Sequence, residues 1–263
     1  MMLRLITFLL LCLGFLPGLA AADKNQLLDQ LYRLEVETYK ASTQFHMFTF
    51  LEGDMRVGTK LEQALERMQP LLLTDEQVGG ETGLITLADT IRRDFEQYKK
   101  AAHANEIRTQ GYTSLYAISD LDNAETQLLV SLSAAYDYLN GNQPGLRQQV
   151  MSAAARVQKM ASRYARLAAH WNGRTGLMAD AEGDTIDVNA AAFEKQLSAL
   201  RGKLDDERLL QAEIKWEYIS AKLIDYQNET VPYLVTRYSD SIVARLMSVG
   251  ADIDADSPAL AVN

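Results

Sequence analysis

The chain has 263 residues, with 26 lysines and arginines against 35 aspartates and glutamates and a formal charge of -9. That acidity excludes nucleic acid and a general anionic membrane surface as natural partners, since both repel a negatively charged protein. The single cysteine, Cys12, lies in the leading segment. The rest of the chain therefore has no thiol for a disulfide, a thiolate metal site, c-type haem attachment or a cysteine nucleophile.

Residues 1–22 read as a signal peptide. Arg4 supplies the positive end, Leu5–Leu16 forms an apolar run of about a dozen residues, Pro17 and Gly18 break it, and cleavage is expected after Ala20 or Ala22. The run is shorter than the roughly 20 apolar residues of a membrane span. Cys12 is preceded by three leucines rather than the small residues of a lipidation signal, so the expected product is periplasmic, exported and soluble. Loss of Arg4 takes the formal charge from -9 to -10.

The mature sequence predicts helices almost throughout. Leu27, Leu31, Leu34, Thr38, Ala41, Phe45 and Phe48 step by four and three, the spacing of a buried helical seam. A second amphipathic stretch, Thr59–Met68, stops at Pro70, and residues 74–83 read as a loop around Gly79 and Gly80. Leu84, Leu87, Ile91, Phe95, Tyr98 and Ala102 predict a third helix, and Leu121, Leu128, Leu132, Ala135 and Leu139 a fourth. Residues 140–145 then form a turn.

A similar grammar follows. Val150, Ala154, Val157, Ala161, Tyr164, Ala168 and Trp171 give another seam, and a loop runs from Asn172 to Asp187. A short helix carries Phe193, Leu197 and Leu200, and a long one carries Leu209, Trp216, Ile219, Leu223 and Tyr226. Pro232 kinks or restarts that helix before Val235, Tyr238, Ile242 and Leu246. Residues 250–263 read as a disordered acidic tail. The short segments Leu61-Glu62-Gln63-Ala64-Leu65 and Phe193-Glu194-Lys195-Gln196-Leu197 hold matching places, each after a long helix and before another. Either the chain is a diverged tandem duplication, with repeats at 23–140 and 146–249, or two bundles of one alphabet resemble each other by chance. The expected fold is all-α: an elongated antiparallel helical bundle, as one body or as two tandem bundles.

A signal peptide, a long helix, a short helix with F/L-E-x-x-L and an aromatic-bearing helix together resemble the PilJ/NarX-type periplasmic helical sensor domain, the N-terminal domain family of type IV pili methyl-accepting chemotaxis transducers. The family's first helix carries a segment approximating A-G-x-x-R-M-x-S-x-R. Ala155, Met160 and Ser162 match it, Lys159 stands for its first arginine, and Arg163 comes one residue early for its second. Arg156 replaces the family glycine. The resemblance implies a sensor-like domain that binds a ligand; no transmembrane or signalling part accompanies it.

Residues 138–179 contain no aspartate or glutamate, and in this window Arg156, Lys159, Arg163 and Arg166 follow three-four-three spacing. On a helix they form one stripe beside the apolar seam. The functional reading is a ligand site for an oxyanion or carboxylate, which suits arginine's planar fork of donors. The bland reading is a solvated flank that meets acidic residues on neighbouring helices, such as Asp205, Asp206 and Glu207.

Other chemistry finds little footing. His46, His103 and His170 occur singly on three helices, without the Glu-x-x-His pairs of a di-metal bundle, so no metal and no cofactor is expected. No G-x-S-x-G occurs. Carboxylate pairs such as Asp120 with Asp122, and Asp205 with Asp206, sit at expected helix starts, where capping explains them. Phe45, Phe48, Phe50, Trp171, Trp216, Tyr218 and Tyr226 are expected in the core. The expected protein is therefore not an enzyme and has no catalytic residue. It is a non-catalytic sensor-like or adaptor binding protein that recognises a small anion or an acidic envelope protein. The alternative is a purely structural helical scaffold that binds a protein through a bundle face.

Overall fold

The computed structural model describes residues 21–140, 144–170, 184–225 and 230–253. Residues 1–20 of the expected signal segment, Trp171, residues 172–183 of the Asn172–Asp187 loop, Tyr226 and most of the expected tail lie outside the described residues. The first half comprises α1 (Ala21–Phe50), α2 (Met55–Met68), α3 (Asp75–Val78), α4 (Thr82–Ala102), α5 (Ile107–Gln110) and α6 (Leu115–Asn140). The second comprises α7 (Leu146–Ala169), α8 (Ile186–Arg201), α9 (Glu207–Ile224) and α10 (Pro232–Asp252). The fold is an all-α bundle, with no strand among the described residues.

The helix ends follow local chemistry. Asp54 caps α2 by accepting from the Arg56 amide, and Asp206 caps α9 by accepting from Arg208. Gly53, at φ 85, closes α1 by sending its amide back to the Phe48 carbonyl. The expected 74–83 loop contains the short helix α3, because Thr74 and Gln77 complete a reciprocal capping box. Pro232 restarts the chain as the first residue of α10, where its missing N–H costs nothing, and the preceding Val231 amide donates to the Tyr164 hydroxyl at 2.9 Å. That helix continues to Asp252, later than the expected tail boundary. Gly250 holds the reason: a β-carbon there would stand 2.7 Å from Met151 Sδ, so the missing side chain lets α10 lie against α7.

Each half gathers an apolar core, the second also taking in Val36 of α1, and Met47, Val57 and Ala165 form a small apolar cluster across the halves. Leu31, Leu34, Phe45, Leu65, Phe95 and Leu132 are among the residues that fill the first. Val157, Phe193, Trp216, Ile219, Ile242 and Leu246 are among those that fill the second. The short helices α2 and α8 each contribute a pair from the matched segments, Leu61 with Leu65 and Phe193 with Leu197. Phe50 and Tyr218, expected in the core, are instead exposed, Tyr218 lying at the surface against Tyr238 of α10 with ring centroids 4.8 Å apart.

The two opening helices, α1 and α7, pack side by side and run parallel. Asn25 meets Gln148, Asp29 meets Arg147, Thr43 meets Gln158 and His46 meets His170, so both numbers rise along the pair. Ala153, Ala154, Ala161 and Ala165 keep α7 slim enough to be buried by neighbours on several sides. The seam between the halves is where the polar residues collect.

Candidate functional site

One face of α1 carries Glu35, Tyr39, Ser42 and His46, spaced four, three and four. The basic stripe of α7 looks toward the same seam. Both helices thus present a polar row where a bundle ordinarily buries apolar side chains, and α6 and the start of α8 close the space from two further sides.

The structure brings three of the four stripe residues around acidic side chains. Lys159 Nζ donates to both oxygens of Asp184 at 2.7 and 2.9 Å, and Arg163 donates to the same carboxylate. Asn189 adds a third donor to Asp184 at 3.0 Å. Partial burial would raise the Asp184 pKa, but these hydrogen bonds outweigh it and hold it at about 2. Arg166 reaches across to Asp122 on α6 at 2.7 Å. Arg156 differs. Among the described residues its guanidinium hydrogen-bonds to neutral oxygens, those of Asn189 at 3.1 Å and Gln196 at 3.4 Å.

The stripe is therefore no solvated flank. The side chains of Lys159, Arg163 and Arg166 are only 24%, 19% and 18% exposed. Its partners are Asp184 and Asp122, not Asp205, Asp206 or Glu207; Asp206 is held by Arg208 at the start of α9. The bland reading was right that acids neutralise the stripe and wrong about which acids and how deeply. Asp122, expected as a cap, lies within α6 and serves as a counter-ion instead.

Below this layer lie two enclosed carboxyl groups. Glu35 accepts from the Tyr136 hydroxyl at 2.8 Å. Burial pushes its pKa up, against the pull of Tyr136, Lys159 and Arg156. Glu125 accepts from Ser42, whose hydroxyl lies 2.7 Å from that of Tyr98, and burial pushes Glu125 up to about 7. Each glutamate side chain is half-buried. Burial likewise raises Tyr39, Tyr98 and Tyr136 well above the ordinary phenol range.

At the far end of the seam His46 Nδ1 lies 3.3 Å from His170 Nε2. Burial pushes both pKa values down, His170 to about 4, and the neighbouring Arg166 adds to the shift. Two neutral rings, one donating and one accepting, satisfy each other. Among the described residues no group of three or more His, Cys, Asp or Glu side chains gathers as a metal site would require.

The sequence reading found the basic half of this seam and missed the acidic half. Glu35, Tyr39, Ser42 and His46 hide beside the leucine seam of α1, and their own four-three-four spacing was the available signal. The meeting of His46 with His170, and of Asp184 and Asp122 with the stripe, depends on packing between distant elements. No known protein family, curated protein or solved structure matches this chain.

Proposed function

We propose that the protein is a non-catalytic, exported binding protein that takes a small anion at Arg156, Lys159 and Arg163, in the seam between its halves. One observation carries the reading: the site already holds a carboxylate, that of Asp184, with two cations and an amide donating to it. Charged groups in a bundle interior rarely improve stability over apolar packing of the same volume. Keeping several of them at one junction is better explained by recognition. Arg156, whose contacts are neutral amides, keeps its charge available for an incoming oxyanion.

A tethered carboxylate competes at an effective concentration in the millimolar range or above, so Asp184 weakens and tunes the binding of a free anion. The PilJ/NarX resemblance supports the same assignment, since Lys159 and Arg163 stand at or beside its two arginine positions. The parallel packing of α1 on α7, as expected of two copies around a local twofold axis, favours a tandem duplication. Export rests on the leading segment alone; among the described residues no helix is long and apolar enough to cross a membrane.

A panel of nitrate, phosphate, acetate and citrate, read by thermal shift and native mass spectrometry, tests the site. At least one anion should raise the melting temperature of the parent. Arg156→Gln, which breaks no ion pair, should suppress that rise while leaving the unliganded melting temperature nearly unchanged. If no anion shifts the parent, the scaffold reading leads. It has its own observation: Leu210, Ile214 and Tyr218 form an exposed apolar row, four residues apart, on the outer face of α9.

A further inference from the structure

A second recess lies away from the seam, where the end of α1 and the start of α2 face the start of α10. Its cavity is about 710 Å³, within the roughly 300–1,000 Å³ range of small-molecule sites. Met47 and Val57 form a buried floor, and Leu51 and Tyr233 add partly exposed apolar walls.

Thr236 marks this wall as unfinished. A threonine inside a helix ordinarily gives its hydroxyl to the carbonyl four residues back, as Thr38, Thr43, Thr86, Thr90 and Thr126 do here. Thr236 does not. It is 9% exposed, lines the cavity, and its hydroxyl has no hydrogen-bond partner among the described residues. An unmet buried hydroxyl carries a real cost, which a ligand in the cavity would relieve once the side chain turns toward it.

The rim supplies the sign of that ligand. Arg56 is held by Asp54 at 2.6 Å. Lys60 and Arg237 make no ion pair among the described residues, and Asp240 is the remaining acid. Three cations against two carboxylates make this rim locally positive on a protein of formal charge -9. We infer that this recess binds a small monocarboxylate with an apolar body, its tail on Met47, Val57 and Tyr233 and its carboxylate at Lys60 and Arg237. The inference is independent of the anion site between the halves.

Decanoate, decanol and acetate serve as probes, titrated by calorimetry below the micelle-forming range of decanoate. Decanoate should bind the parent at least tenfold more tightly than either decanol, which lacks the charge, or acetate, which lacks the tail. The double variant Lys60→Glu/Arg237→Glu, in exposed positions that leave the core intact, should lose at least tenfold for decanoate and almost nothing for decanol. Thr236→Val keeps the shape without the hydroxyl and should weaken decanoate several-fold. Equal binding of decanoate and decanol, or decanoate binding unchanged in the double variant, would overturn the proposal. So would no decanoate binding at all. Arg156→Gln should leave decanoate binding unaltered, which separates this site from the one in the seam.

Discussion

The two apolar cores differ from the seam between them, where polar and charged side chains interrupt apolar contacts such as Met47 with Ala165. Around Phe95 in the first half and Phe193 in the second, buried leucines, isoleucines, valines and aromatics close on one another. Between α1 and α7 the chain places Glu35, Glu125, Arg156, Lys159, Arg163 and Arg166, with Asp184 and Asp122 as counter-ions. The cores hold each half together mainly by apolar packing, with Asp94 of the first, held by Ser131 and Arg93, as a buried exception. The seam joins the halves and bears groups that stability alone would not select. That difference is why we propose recognition at the junction.

The largest effect should come from the core. Phe193→Ala leaves a cavity under Trp216 and should cost about 3–5 kcal/mol in urea denaturation. The seam should respond differently. Arg163→Met removes one donor to a carboxylate that is itself 35% exposed and can rehydrate, so the cost should be smaller, about 2 kcal/mol. Adding Asp184→Asn to Arg163→Met should then cost less than the sum of the two single changes. Additive costs would show that the pair does not couple, and would erase the distinction between core and seam.

Acidity sharpens the comparison further, because Glu125 and His170, the groups shifted into the range between pH 4 and 7, lie along the seam. Glu125 binds its proton more tightly in the folded state, at about 7, than at its ordinary 4.5. Its contribution is fully present below pH 4.5 and is lost as pH rises toward 7. His170 is shifted the other way, from 6.5 to about 4, so its contribution is present above pH 6.5 and is lost as pH falls toward 4. The two oppose each other, and the parent should show a shallow dependence between pH 4.5 and 6.5. Glu125→Gln removes one side. Relative to the parent it should gain stability between pH 5 and pH 8, by no more than about 3 kcal/mol, and parallel curves for the two proteins would refute the buried carboxyl.

The cores were legible because a seam such as Leu27, Leu31 and Leu34 repeats at a period fixed by the helix itself. Helix starts were legible where one side chain decides them, as at Pro232 and Asp206. The basic stripe was legible as a charge pattern, but its depth was not. Whether Lys159 faces water or Asp184 depends on where α8 begins after the intervening loop, which no local period encodes. The polar row on α1 was present in the spacing of Glu35, Tyr39, Ser42 and His46, yet it became visible only once α7 lay against it. Phe50 and Tyr218 erred in the other direction: apolar type suggested burial, yet Phe50 stays exposed and Tyr218 is covered on one side by Tyr238.

The central claim is that Asp184 occupies a site built for a free anion. Calorimetric titration of Asp184→Ala with acetate and phosphate tests it most directly, with circular dichroism to establish that the variant is folded. Removing the tethered carboxylate should tighten the binding of at least one of these anions by tenfold or more over the parent, and that gain should vanish when Arg156→Gln is added. A folded Asp184→Ala protein that binds neither anion would contradict the claim, and would leave the charged seam as a structural joint between two helical bundles.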